Sequence, residues 1–112
     1  MFKFIKHWTK PKNVNSKRFK QEMAKHLDKR HVKYVTERIG EIDEIIGREG
    51  EILVRGDELV VYASTEIVFR ARIEEMTAGE LLSLEGAVLT APDLTRGGEM
   101  RTIIAYYKYW RK

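Results

Sequence analysis

Apolar and polar positions alternate most regularly over residues 51–73, EILVRGDELVVYASTEIVFRARI, and this pattern predicts three short strands joined by two tight turns. Ile52 and Val54 alternate with Leu53 and Arg55, and Arg55-Gly56-Asp57-Glu58 carries the Gly-Asp chemistry of a reversing turn. Residues 59–63, LVVYA, centre on β-branched Val60 and Val61 and aromatic Tyr62, as suits a buried strand. Ser64-Thr65-Glu66 supplies the second turn. Beyond it Ile67, Phe69, Ala71 and Ile73 share one face while Val68, Arg70 and Arg72 share the other. A period of two places one face in a core and the other in water.

Before this stretch the period changes. Ser16 is a good helix N-cap, and Phe19, Met23 and Leu27 follow at four-residue intervals, with Arg18, Lys25 and Lys29 on the opposite side. Residues 31–46 fit two patterns. Val32, Val35, Ile39, Ile42 and Ile46 have helical spacing, but Tyr34-Val35-Thr36 is strand-like and Gly40, Gly47 and Gly50 punctuate the segment. The preferred reading is a strand over about residues 33–39, a loop or short strand through Ile46, and a turn at Gly47-Arg48-Glu49-Gly50. That turn lacks the Lys-Ser/Thr of a phosphate-cradling loop and leads into a strand.

After Ile73, Thr77-Ala78-Gly79-Glu80 has the spacing of a capping box and predicts one helical turn. Residues 82–90 predict a strand with a bulge at Gly86, closed by Ala91-Pro92-Asp93. Arg96-Gly97-Gly98-Glu99 reads as a hairpin turn before a last strand over residues 101–110. In that strand Ile103, Ala105, Tyr107 and Tyr109 point one way, and Ile104, Tyr106 and Trp110 the other. A strand apolar on both sides is either covered twice or offers a contact surface.

These elements predict an α+β fold, with an N-terminal helix packed on a twisted antiparallel sheet or half-barrel of about five sequential strands. The domain runs over residues 16–112, preceded by a basic amphipathic arm and linker over residues 1–15. Its expected core comprises Ile52, Val54, Val61, Phe69, Ala71, Ile73, Leu84, Val88 and Ile103.

Charge adds what periodicity cannot. Residues 1–38 hold twelve Lys and Arg against Glu22, Asp28 and Glu37, whereas residues 39–99 hold five Arg against fourteen acids. The last thirteen residues add Arg101, Lys108, Arg111 and Lys112, giving a net charge of +4. A basic arm on an acidic body either lies against that body or meets an external polyanion. Candidate anion-binding residues are Lys17, Arg18, Lys20, Lys25 and Lys29. In MFKFIKHWTK, a helical wheel gathers Phe2, Phe4, Ile5 and Trp8 opposite Lys3, Lys6, His7 and Lys10, so Phe4, Ile5 and Trp8 are candidate membrane contacts.

At 112 residues the chain is one domain, and the absence of cysteine excludes disulfides, thiolate nucleophiles and Cys-type zinc sites. No apolar run approaches the roughly 20 residues of a membrane span. The lysines inside the apolar N-terminal stretch differ from a secretory signal, so the expected location is cytoplasmic. Catalysis needs a nucleophile with a base, or two carboxylates in different environments. Glu74 and Glu75 diverge, and His7, His26 and His31 all lie in the basic N-terminal part. His26 and His31 are five apart, which does not place two imidazoles on one helix face. Arg55-Gly56-Asp57 is turn chemistry. No catalytic, cofactor or metal site is expected.

Two classes of function remain. One is a small non-catalytic scaffold or protein-interaction domain that binds a protein or forms a homodimer through Ile104, Tyr106 and Trp110 of the last strand. The other is a polyanion-binding module, for nucleic acid or an anionic membrane surface, acting through the basic arm and helix.

Overall fold

A computed structural model describes residues 16–108. The expectations for the arm over residues 1–15, including Phe4, Ile5 and Trp8, and for Trp110 lie outside the described residues.

Helix α1 (Lys17–Leu27) begins as its sequence predicts, with the Ser16 hydroxyl accepting from the Phe19 N–H at 3.1 Å. Its stripe buries Met23, Ala24 and Leu27, with Phe19 packed at the margin. Asp28 stops the helix and receives the Val54 N–H on its carboxylate at 2.8 Å. The chain then reverses through Lys29, whose φ is 68°. Lys29 N–H donates to the Ile52 carbonyl and the Ile52 N–H to the Arg30 carbonyl, so the helix exit is bolted to the middle of the sheet.

Seven strands follow: β1 (His31–Ile39), β2 (Ile42–Arg55), β3 (Glu58–Ala63), β4 (Glu66–Arg72), β5 (Thr77–Glu80), β6 (Gly86–Asp93) and β7 (Glu99–Tyr107). They form one antiparallel sheet in the order β4-β3-β2-β1-β7-β6-β5. The α+β class therefore stands, but the count is seven rather than about five. The order is also not purely sequential, because the first and last strands are neighbours. The sheet curls until the far end of β6 meets β4, where the Arg70 N–H reaches the Asp93 carboxylate at 3.2 Å. Helix α1 packs on the core side, touching β2, β5 and the 3-10 turn Ile73–Glu75.

Three local readings are corrected. Gly47-Arg48-Glu49-Gly50 is not a turn but the interior of β2, a strand of 14 residues. Gly50 is needed for close approach: a Cβ there would stand 1.7 Å from the Tyr62 carbonyl oxygen of β3. The reversal instead lies at Gly40-Glu41, where Gly40 takes φ +66° as the first of two loop residues. Thr77–Glu80 is a strand rather than a helical turn, because residues 77–80 find a complete ladder with residues 87–90.

The third correction concerns β6, which starts at Gly86 and not near Leu82. Its inward residues are Ala87, Leu89 and Ala91, whereas Val88 is half-buried and Leu84 is exposed in the preceding loop. A one-residue shift in register exchanges the two faces of a strand. Of the remaining expected core, Ile52, Val61, Phe69, Ala71, Ile73 and Ile103 are buried and Val54 is half-buried against them. Ile67 is exposed, because a bulge between Val61 and Tyr62 shifts the β3–β4 ladder before it.

Candidate functional site

The last strand does not offer the surface expected of it. β7 lies between β1 and β6, paired with β6 over residues 99–106 and with β1 over residues 103–107, so the part that carries Ile104 and Tyr106 has no edge to lend to a second copy. Ile104, paired with Thr36 and Val88, is 0% exposed, and half-buried Tyr106 lies against Tyr34 with ring centroids 4.8 Å apart. The two-sided apolar pattern is that of an interior strand, not of an interface.

The candidate basic residues do not converge on a cationic surface. Lys17, Lys20 and Lys25 line a cleft of about 330 Å³ between α1 and the β2–β3 turn, and Asp28, Asp57 and Glu74 line it too. The Lys20 Nζ donates to the Glu74 carbonyl oxygen at 2.7 Å, and Arg18 pairs with Glu22 at 3.4 Å. Three cations facing three carboxylates balance the cleft rather than charge it. Lys29 stands apart on the chain reversal.

Two polar clusters hold the ends of the curled sheet. At one end Tyr107 donates its hydroxyl to the Glu80 carboxylate at 2.8 Å, and the His26 Nε2 meets the same oxygen at 3.0 Å. The Arg30 guanidinium lies 3.9 Å from the centre of the Tyr107 ring. Burial alone would raise the Glu80 carboxyl, but its hydrogen bonds with His26 and Tyr107 outweigh burial and hold it below the usual range. Burial and the bond to Glu80 push the Tyr107 phenol well above its ordinary value, so it stays protonated and is no base. The cluster clamps α1 and β7 onto the short strand β5.

At the other end Arg101 of β7, only 2% exposed, joins four strands. Its Nε and Nη2 donate to the two Glu37 oxygens at 3.0 and 2.7 Å, a bidentate pair, while Nη1 donates to the Asp93 carboxylate and, at 3.2 Å, to the Val68 carbonyl. Asp93 is wholly buried and also accepts from the Thr95 N–H and hydroxyl, both at 2.8 Å, and from Arg70. Every member is paired inside the cluster, which is what a structural lock requires.

The remaining conspicuous surface is the β1–β2 hairpin. β7 accompanies β1 only as far as Glu37, and β3 joins β2 only from Gly50, so the hairpin projects beyond both neighbours. On it Ile39, Ile42 and Ile45 are 55%, 64% and 47% exposed. Glu41, Asp43 and Glu44 are exposed beside them. The sequence pattern predicts Ile39 at the end of a strand and Ile42 and Ile45 in a loop or short strand. The signal that identifies the hairpin was present, a Gly-x pair flanked by Ile39 and Ile42. Among the described residues no group of three or more His, Asp or Glu could hold a metal ion, and no helix is long and apolar enough to cross a membrane.

Compared with known proteins, the chain matches no family model, no curated protein and no solved structure.

Proposed function

We propose that the protein is a non-catalytic interaction domain that binds a protein partner through the projecting β1–β2 hairpin. The observation that carries this reading is the exposed pair Ile39 and Ile42, opposed across the ladder on one face, with Ile45 exposed on the other, all β-branched side chains left largely in water on an element with few neighbours. The Arg101 and Glu80 clusters support it indirectly, because their charged groups are engaged in holding the sheet and the helix. The polyanion reading has less support, since Lys17, Lys20 and Lys25 share their cleft with three carboxylates.

The test is a photo-crosslinking residue placed at position 42 in the full chain, expressed in the cells it comes from. A discrete crosslinked protein is expected there, and the same residue at Leu82, 94% exposed but remote in sequence from the hairpin, gives none. Changing Ile39 and Ile45 together to lysine abolishes the crosslink while leaving the fold intact, because neither side chain is in the core. Equal labelling at positions 42 and 82, or none at 42, refutes the reading.

A further inference from the structure

We propose that the hairpin takes its partner by strand addition: the open edge of β2 over residues 42–46 accepts an extended peptide in which a basic and an apolar residue stand two positions apart. This rests on the reading above and specifies its mode and the chemistry of the partner.

The edge is defined by pairing. The β1–β2 ladder runs from Ile39↔Ile42 to Thr36↔Ile45 and, past a bulge at Ile46, to Val35↔Gly47; Gly47 is buried against Ala63 and β3 pairs with β2 only from Gly50, so among the described residues nothing bonds the other side of residues 42–46. In an antiparallel ladder alternate residues direct their N–H and C=O groups away from the partner strand. Such a row of unpaired groups is a template for another strand. It closes at Arg48, whose carbonyl accepts the Ser64 N–H at 2.7 Å and whose N–H donates to the Ser64 hydroxyl at 2.9 Å. The open length, Ile42 to Ile46, suits a short peptide bound by main-chain bonds, with side-chain contacts supplying specificity.

The side chains select the peptide. Ile42 and Glu44 alternate on one face of the edge, and Asp43 and Ile45 on the other. Asp43 is engaged by Arg38, whose Nε and Nη2 donate to its two oxygens at 2.9 and 3.2 Å. Glu44 is not so served. It lies directly across the ladder from Glu37, a like-charge pair, and the Glu37 carboxylate is already bound by Arg101. Neither Glu41 nor Glu44 has an ion pair among the described residues. A lysine or arginine on an added strand beside Glu44 supplies the countercharge that Arg101 gives only to Glu37, and the residue two places along meets Ile42. The recognised pattern is therefore basic, any residue, apolar. A second copy of the hairpin is a poor occupant, because pairing two of these edges sets Glu41, Asp43 and Glu44 against the same three acids.

The experiment uses the full chain, isotope-labelled for NMR, and a blocked synthetic peptide of sequence Thr-Lys-Thr-Val-Thr-Thr at millimolar concentration, with its Lys-to-Glu counterpart as the control. Exchange of edge-facing amides within residues 42–46 is expected to slow by about tenfold with the basic peptide and to stay unchanged with the acidic one. Glu44→Lys reverses that preference. Unchanged exchange across residues 42–46, protection by both peptides alike, or a preference that Glu44→Lys leaves as it was overturns the proposal. If the position-42 crosslink is obtained while the edge amides stay unprotected, the partner binds the isoleucines alone and only strand addition is lost; if both fail, the hairpin reading goes with it.

Discussion

Arg101→Met is the most informative single perturbation of this fold. Methionine keeps most of the buried stem but removes the guanidinium, leaving Asp93, at 0% exposure, with its bonds from Thr95 and Arg70 and no countercharge. Glu37 loses a bidentate partner but is 16% exposed and can turn to water. The loss is therefore dominated by one uncompensated buried carboxylate, for which removal of one partner of a buried pair costs about 3–5 kcal/mol. With an unfolding entropy of about 2.1 cal/mol/K per residue over the chain, that corresponds to a melting point lower by about 13–21 °C. Urea unfolding of the parent, Arg101→Met, Asp93→Asn and the double variant, followed by circular dichroism, completes the cycle. Asp93→Asn in the Arg101→Met background should recover much of the loss, because it removes the stranded charge, and the pair should show coupling of about 2 kcal/mol or more. If Arg101→Met unfolds within about 1 kcal/mol of the parent with an unchanged m value, the cluster is not what closes the sheet and the reasoning fails.

Other perturbations test separate parts. Phe69, wholly buried in β4, should cost about 3–5 kcal/mol when cut to alanine, and a melting point close to that of the parent would show that the core face of β4 is misassigned. Ser64 and Thr65 hold φ of 53° and 61° in the β3–β4 turn, so Thr65→Gly should stabilise by about 1 kcal/mol in urea, an effect that a negative φ at Thr65 would reverse. Hydrogen bonding to Arg101 holds the Glu37 carboxyl below its ordinary 4.5, and Asp93 sits below 3.8 because its bonds from Thr95, Arg101 and Arg70 outweigh the cost of burial. Depressed folded-state values contribute stability in full above those ordinary values and lose it as pH falls through the lower folded-state ones, so melting points measured down an acid series should drop below about pH 4.5, and by less in Arg101→Met.

The parts of the fold that were legible in sequence are those whose local pattern and tertiary role agree. Ser16 with its four-residue apolar stripe, Gly56 in the β2–β3 turn and the alternation of Phe69, Ala71 and Ile73 each name an element and a buried face. What misled was residue type read without its neighbours. Gly50 looks like a turn residue, but its role depends on Tyr62 of β3 coming so close that no side chain fits. The apolar character of Ile104 and Tyr106 suggests a contact surface, yet the strand is interior because β1 returns beside it, a pairing across about 70 residues that no local pattern encodes. The hairpin isoleucines were hidden for another reason: helical and strand spacing overlap over residues 31–46, and no local pattern shows that the ladders on either side stop short of Ile39, Ile42 and Ile45.

Glu37 belongs to both the lock and the open edge, and this gives the two a measurable link. It faces Glu44 across the β1–β2 ladder while its charge is neutralised by Arg101. In Arg101→Met that charge is exposed again. A peptide strand added to β2 would lie two strand spacings from β1, about 9.6 Å. One carboxylate and one lysine at that distance attract by about 0.4 kcal/mol in water, a twofold gain in affinity. Because the separation is close to the Debye length of about 10 Å at 0.1 M salt, the gain should be present at low ionic strength and vanish at about 1 M, where that length is about 3 Å. The basic peptide titrated against parent and Arg101→Met, at a temperature where both are folded, measures it. Equal affinities at low salt, or a difference that survives high salt, would show that Glu37 does not act on the edge through its charge and that Arg101 serves the fold alone.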